Sequence, residues 1–422
     1  MLEKIKDELR QGRTLLLFAL LKFAGQGLGM IAPLAVARFF ASERLFGSYC
    51  LAKMVVFFFA MLLIGSSQTP FVVFANQEKA KTGRINKTFS VQLVFLLLSL
   101  AIFAVTALLF GGYITRFAGI RAGDLVFVAS AFAAMAAKSF ICNLFMALGQ
   151  RLKNAVADLV FAAATVVFIF VFYFADSINI RTVFLVYPAS TIVLAAVVLP
   201  GVDFRQLLPL QFKRERLKEM FDFTKWMMLG GTAVYFINWG DNLVLRLYAS
   251  MADIGTYNVA YQIFKGIVTF SFVAGRYFLP FVSQHIGDRE KIRGYLYRKR
   301  PRLLAAGGAC IVVVFVAVPY IFRLLYGGLY ARGVLILRVL LVGAAVMFYS
   351  TFYSLLLQVT KGYRFLQVVN VVQVLLNLAL DVVLVTRMGM LGAAVATVIA
   401  YLCRAVILEV HFHLRLRARL GV

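Results

Sequence analysis

Residues 38–53 read RFFASERLFGSYCLAK, and 208 positions later residues 246–261 read RLYASMADIGTYNVAY. Six of the sixteen aligned positions are identical without a gap: Arg38/Arg246, Ala41/Ala249, Ser42/Ser250, Gly47/Gly255, Tyr49/Tyr257 and Ala52/Ala260. Each copy joins two long apolar stretches and enters the second of them. The repeat predicts two bundles of the same orientation, related by an axis along the membrane normal.

The composition identifies the class of protein. The chain has 422 residues, of which 62% are hydrophobic and 15% are charged. A soluble domain carries about a quarter charged residues, so this chain is an integral membrane protein. The four cysteines all lie in apolar stretches without paired spacing: Cys50, Cys142, Cys310 and Cys403. They are expected to be small buried side chains and not disulfide partners or metal ligands.

Twelve stretches have the roughly 20 apolar residues that a helix needs to cross a bilayer. They are residues 14–38, 46–74, 88–111, 124–148, 155–175, 181–200, 223–249, 256–284, 303–325, 333–358, 365–386 and 389–412. We therefore predict an all-α integral membrane fold of about 12 transmembrane helices in two parallel six-helix lobes. The predicted N-lobe is 1–200, the cytoplasmic linker 201–222 and the C-lobe 223–422.

The basic residues indicate the orientation of these spans. Of the 44 Lys and Arg residues, 28 fall on the side that holds both termini and 10 on the other side. Cytoplasmic loops carry the excess of positive charge, so both termini are expected in the cytoplasm. This placement explains most of the net charge of +26 as attraction to anionic lipids, and no nucleic-acid partner is needed.

Five basic residues lie inside the predicted spans: Lys22, Lys53, Lys138, Lys265 and Arg276. A cation at membrane depth is costly and usually faces a watery cavity or a partner. The same segments hold few acids, of which Asp241 is the clearest, so these cations predict a cavity for an anionic substrate. Lys22 and Arg276 lie close enough to span ends to extend to the membrane surface instead. Asp241 is either a structural partner of Lys265 or a titrating coupling site.

Further polar side chains in the spans are candidates for sugar contact or ion coupling: Gln26, Tyr235, Asn238, Asp241, Tyr261, Asn370, Gln373 and Asn377. Their hydroxyl and amide groups suit the many hydroxyls of a sugar. Hydrogen bonds between neighbouring membrane helices explain them equally well. We predict no catalytic residue and no metal site.

Short motifs distributed over essentially the whole chain carry a resemblance: Leu45–Tyr49 (LFGSY), Tyr257–Tyr261 (YNVAY) with Leu279-Pro280, Leu325–Tyr330 (LYGGLY) and Leu391–Thr397 (LGAAVAT). Together they resemble the O-antigen and polysaccharide-repeat flippases (Wzx-like) of the MOP exporter superfamily. The resemblance implies a V-shaped bundle that moves an undecaprenyl-diphosphate-linked oligosaccharide between leaflets by alternating access. It also implies that cavity cations meet the diphosphate, and it matches Lys22, Lys53 and Lys265 by position.

The same resemblance implies no cofactor other than a coupling ion, H⁺ or Na⁺. It implies membrane lipids, a polysaccharide polymerase and a chain-length regulator as partners.

Multidrug/cation antiporters of the superfamily use acids in the first lobe, whereas Lys22, Lys53 and Lys138 lie in the first lobe here. Lipid II flippases of the superfamily usually have fourteen spans. A membrane polymerase or glycosyltransferase is less favoured, because the extracytoplasmic loops are short and poor in acids, and we predict a transporter rather than an enzyme.

Overall fold

The computed structural model describes residues 2–286, 288–360 and 362–417; the side chains of residues 2–16, 270–281, 284 and 363 are outside the described part. The described residues form helices and short connections, with no strand among them. This confirms the all-α fold class. The side chain of Arg276 lies outside what is described, although the backbone of 276 is helical.

The helices follow one another with short connections. The first seven are α1 (Leu2–Phe40), α2 (Glu43–Phe59), α3 (Ser66–Thr82), α4 (Asn86–Ala118), α5 (Leu125–Ala147), α6 (Arg151–Phe174) and α7 (Ile180–Val198). The next seven are α8 (Arg214–Tyr248), α9 (Met251–Gln284), α10 (Arg289–Gly294), α11 (Arg300–Tyr326), α12 (Gly333–Val359), α13 (Tyr363–Met388) and α14 (Met390–His411). A π-helical segment, Ala60–Gly65, joins α2 to α3, so these two form one predicted span.

Ten helical stretches among the described residues are long and apolar enough to cross a membrane, which makes this a multi-pass membrane protein. The predicted spans 223–249 and 256–284 fall in α8 and α9, which have 35 and 34 residues but are not among those ten. Helices of this length are easily long enough to span. Asn238 and Asp241 make the middle of α8 more polar than the other spans. The helix that departs most clearly from an ordinary span therefore carries candidate functional residues.

The chain packs as two compact units. The first comprises Met1–Phe40 and Ser48–Tyr235, and the second comprises Ala41–Gly47 and Phe236–Val422, each as far as it is described. In the first unit α1 packs along α6, and α5 packs against α6 and α7. In the second unit α12 packs against α9 and α14, and α13 packs against α14. The predicted lobe boundaries at 200 and 223 stay a prediction.

The repeated motif forms a close helix crossing inside the second unit. A Cβ atom on Gly47 would lie 2.0 Å from the carbonyl oxygen of Met251, and a Cβ atom on Gly255 would lie 2.0 Å from the carbonyl oxygen of Glu43. The 208-residue offset that relates the two sequences also relates these two contacts. The matching glycines therefore allow the backbones at the two helix starts to touch in a reciprocal way.

Candidate functional site

Two of the predicted cations share one carboxylate in the first unit. Lys22 of α1 forms an ion pair with Oδ2 of Asp158 on α6, and Lys138 of α5 forms one with Oδ1 of the same group. We expected too few acids in the spans to pair all five cations, and Asp158 adds one acid that pairs with two of them. Because the three residues come from three different helices, the spacing along the sequence did not reveal the contact.

This Lys22–Asp158–Lys138 triad carries a net charge of +1 and remains partly accessible. The relative exposure of the side chains is 26% for Lys22, 27% for Lys138 and 24% for Asp158. Asp158 lies seven residues into α6, or about 10 Å along the helix from its start. The apolar surroundings include the Phe161 ring, whose centroid is 5.6 Å from Lys138 Nζ. An ammonium pair with one carboxylate can take up a further anion.

Lys53 has a different environment on α2. Its Nζ lies 5.4 Å from the ring centroid of Tyr49 and 5.6 Å from that of Phe57, one turn away on either side. The hydroxyl of Tyr49 is hydrogen-bonded to that of Tyr187 at 2.9 Å. Among the side chains that the structure describes, no carboxylate forms an ion pair with Lys53. Aromatic faces attract a cation but leave its N–H groups able to bind an anion.

Lys265 of the second unit is also surrounded by aromatic rings. Its Nζ lies 4.6 Å from the ring centroid of Tyr261 and 4.9 Å from that of Trp239, and it donates to the carbonyl oxygen of Asn238 at 3.3 Å. Asp241 is held by other groups, so the structural pair of Asp241 with Lys265 that we considered is wrong. The side chain of Arg276 is not described and its role stays a prediction.

A second polar cluster lies in the interior of the second unit. Asp241 of α8 accepts hydrogen bonds from the Tyr257 hydroxyl, from Asn377 Nδ2 at 2.8 Å and from the Thr397 hydroxyl at 3.1 Å. Asn377 also donates to Oδ2 of Asp381 at 2.7 Å. The cluster therefore joins α8, α9, α13 and α14. We call it the carboxylate cluster.

The carboxylate cluster contains two buried acids without a described basic partner. Asp241 is 5% exposed, Asp381 is fully buried, and Oδ1 of Asp381 has no hydrogen-bond partner. Two uncompensated carboxylates in an apolar interior are strongly unfavourable. A proton on one carboxylate, or a monovalent cation between the oxygens, relieves this repulsion. Asp381 was missed as a site residue, although it lies one helical turn beyond the candidate Asn377.

Two further candidates lie on α13, and Asn370 is next to Arg404 of α14. Asn370 accepts a hydrogen bond from Arg404 at 3.4 Å, and Gln373 is buried. Arg404 also donates to the hydroxyls of Ser350 and Ser354, each at 3.0 Å. Glu409 of the same helix accepts a hydrogen bond from the Tyr349 hydroxyl at 2.7 Å. Hydroxyl and amide groups thus satisfy this buried guanidinium.

The structure does not bring the other predicted contact residues into one site. The Tyr235 hydroxyl, in the first unit, donates to the carbonyl oxygen of Met54 at 3.3 Å. The Tyr261 hydroxyl, in the second, donates to the carbonyl oxygen of Ile237 at 3.4 Å. Gln26 is exposed on α1. Their contact with a sugar stays a prediction. The described residues contain no group of three or more His, Cys, Asp and Glu side chains that would hold a metal ion.

The fold matches solved transporters. Over 94% of this chain it superimposes on 87% of a structure of the lipid II flippase MurJ in an inward closed conformation, with a TM-score of 0.76 and 14% identity. An inward-facing multidrug resistance transporter of the MATE family gives a TM-score of 0.74 at 13% identity, with 94% of this chain and 98% of that chain covered. Both comparisons establish the fold of the MOP superfamily.

The sequence comparisons identify the family. A curated relative, the probable low-salt glycan biosynthesis flippase Agl15 of Haloferax volcanii, is 22% identical over 204 residues, which are 48% of this chain and 42% of that protein. The match thus spans less than half of the relative's length. The family model described as polysaccharide biosynthesis protein matches residues 12–285, well over half of the chain. The chain therefore belongs to the polysaccharide biosynthesis protein family of membrane proteins with the MOP fold.

Proposed function

We propose that this protein is a flippase that moves an undecaprenyl-diphosphate-linked oligosaccharide across the cytoplasmic membrane by alternating access. The cations at membrane depth carry this proposal. In the first unit Lys22, Lys53 and Lys138 are accompanied by the single carboxylate of Asp158. A diphosphate supplies the missing negative charge and accepts charge-assisted hydrogen bonds from ammonium groups.

The charge of the first unit disfavours a multidrug antiporter. A cationic drug would be repelled by a group of lysines whose net charge is positive. The family and the flippase name of the curated relative support transport of a glycan carrier and not its synthesis.

We further propose that the carboxylate cluster binds the coupling ion, a proton or Na⁺. Asp241 and Asp381 provide the negative charge, and the hydrogen bonds that Asn377 and Thr397 donate hold these carboxylates in place. A cation that stabilises one conformation more than the other shifts the equilibrium between them. The basic residues of the first unit would thus bind the substrate, and the acids of the second unit would bind the coupling ion.

The cellular setting completes the proposal. The protein lies in a bacterial inner membrane with both termini in the cytoplasm, as the distribution of basic residues indicates. It receives its substrate from the glycosyltransferases of the inner leaflet and delivers it to a polysaccharide polymerase and chain-length regulator. The sugars of the repeat unit belong to the surface polysaccharide of the host.

Depletion of the protein in its host tests the proposal. Lipid-linked repeat units should accumulate facing the cytoplasm, surface polysaccharide should be lost, and the wild-type chain should restore both. Protection of the accumulated units from a membrane-impermeant glycosidase in intact spheroplasts reports the leaflet. Accumulation of translocated but unpolymerised units would contradict a flippase and favour a polymerase. Drug hypersensitivity with normal polysaccharide would contradict it in favour of an antiporter.

A further inference from the structure

The lysine pair of the first unit is already occupied by a side chain of the same unit. Lys22 and Lys138 contact different oxygens of Asp158, so the carboxylate bridges the two ammonium groups. Phosphate and carboxylate oxygens accept hydrogen bonds from the same donors. Two ammonium groups that are spaced to hold the two oxygens of a carboxylate are therefore also suited to two oxygens of a phosphate group.

The backbone holds Asp158 firmly beside the lysines. α1 packs along α6, and a Cβ atom on Gly25 would lie only 3.3 Å from the amide nitrogen of Leu159. Gly25 is one turn from Lys22, and Leu159 directly follows Asp158. The carboxylate consequently cannot move away from the pair through a backbone shift while α1 and α6 stay packed. It competes for the ammonium groups whenever they are to bind another anion.

We propose that Asp158 is a positioning residue that competes with the substrate diphosphate for Lys22 and Lys138, and that it thereby sets how tightly the substrate is held. This inference rests on the proposed flippase function, because it takes the anion to be a diphosphate. A transport site must bind its substrate well enough to capture it and weakly enough to release it. The internal carboxylate replaces the substrate at the lysines after release and so prevents a trapped complex.

Charge-changing variants separate this role from a structural one. The triad has a net charge of +1 in the wild type, +2 in Asp158→Asn and zero in Lys22→Gln. In the double variant, which combines Asp158→Asn with Lys22→Gln, the net charge is again +1. The purified full-length protein in detergent is titrated with farnesyl diphosphate, and farnesol is the uncharged control. Asp158→Asn should lower the dissociation constant by about tenfold or more, and Lys22→Gln should raise it by a similar factor.

The double variant should return the affinity close to that of the wild type. Asp124→Asn is the matched control, since Asp124 is an ion-paired carboxylate of the same unit that contacts Arg181 at 2.7 Å and not the lysines. It should leave the affinity for farnesyl diphosphate unchanged. In proteoliposomes, Asp158→Asn should lower both the turnover number and the half-saturating lipid concentration, whereas a purely structural defect would not lower the latter.

Equal or weaker binding by folded Asp158→Asn would overturn the role of Asp158. If that variant does not fold, as its melting curve would show, the comparison of Lys22→Gln with the double variant decides. The double variant must then bind more tightly, and equal binding overturns the inference. If the wild type binds farnesyl diphosphate and the Asp158 variants bind it with the same affinity, only the role of Asp158 is refuted. The proposed flippase function is then unaffected. A wild type that binds no diphosphate refutes the diphosphate assignment of the proposed function as well.

Discussion

At the scale of single residues, the cations inside the spans have two kinds of surroundings: Lys22 and Lys138 pair with a carboxylate, whereas Lys53 and Lys265 lie beside aromatic rings. A charged residue inside an apolar stretch can be recognised from the sequence alone, which is why Lys22, Lys53 and Lys138 could be named as candidate site residues. The carboxylate of Asp158 belongs to a different helix, and its pairing depends on how α1, α5 and α6 pack. The link between Asp381 and Asp241 through Asn377 likewise joins different helices, so the sequence did not reveal it.

The two lysines that lie beside aromatic rings give the first prediction. Lys53→Ala and Lys265→Ala should each abolish transport and leave membrane insertion intact, because the substrate loses charge-assisted hydrogen bonds. Arginine at either position should restore part of the activity, because it keeps the charge and the N–H donors. Export of surface polysaccharide in a complemented deletion strain provides the measurement. Lys225→Ala is the control, since Lys225 forms an exposed ion pair with Asp222 at 2.7 Å. Normal export by the two alanine variants would contradict the cavity assignment.

The carboxylate cluster gives the second prediction. Asp381→Asn keeps the shape of the side chain and removes one of two buried charges, so the melting temperature should not fall. The flipping rate should become insensitive to an imposed Na⁺ or pH gradient, and the gradient to which the wild type responds identifies the ion. Asp124→Asn should keep the wild-type response. A response of Asp381→Asn equal to that of the wild type would mean that the cluster does not bind the coupling ion.

At the scale of the helices, the most informative element is the crossing of the repeated motif. Sequence identity at Gly47 and Gly255 predicted matching positions, and the structure shows each glycine against a carbonyl oxygen of the other copy. The partner atoms could not be predicted, because a sequence repeat shows which positions are equivalent but not which atoms touch. Arg332 adds ion pairs at this place, to Asp253 at 2.7 Å and to Glu43 at 3.4 Å.

The crossing predicts an effect of a single methyl group. Gly47→Ala should lower the free energy of unfolding by about 1–3 kcal/mol, since a Cβ atom 2.0 Å from the Met251 carbonyl oxygen forces the two helix starts apart. Gly112→Ala is the matched control, because a Cβ atom there meets no atom within 4 Å. Thermal unfolding of both variants in detergent provides the comparison. Equal stability of the two variants would show that the close approach is not needed.

At the scale of the whole molecule, hydropathy and charge predicted a membrane protein of about twelve helices, and the fold class is confirmed. Ten spans are apolar enough within the described residues, whereas the middle of α8 is too polar. The boundaries of the two lobes were set from loop composition and remain untested. The composition of the two compact units could not be predicted from the sequence, because residues 41–47 pack with a part of the chain that begins almost 190 positions later.

Alternating access predicts that the two repeated turns separate during transport. Cysteines introduced by Ser42→Cys and Ser250→Cys, after replacement of the four native cysteines, should crosslink and arrest flipping until the disulfide is reduced. The backbone contacts at Gly47 and Gly255 hold the starts of α2 and α9 together in this conformation. The yield of crosslinked protein and the flipping rate before and after reduction are measured together. Efficient crosslinking with unchanged flipping would rule out separation of these turns.

The central claim is transport of a diphosphate-linked glycan lipid, and reconstitution tests it most directly. Purified protein in proteoliposomes receives a fluorescent oligosaccharide lipid linked through undecaprenyl diphosphate, and an impermeant quencher reports the leaflet. The wild type should move this lipid from one leaflet to the other, Lys53→Ala should not, and the same glycan on a neutral lipid should stay in place. Failure of the wild type to move the diphosphate-linked lipid, or equal movement of the neutral one, would contradict the account.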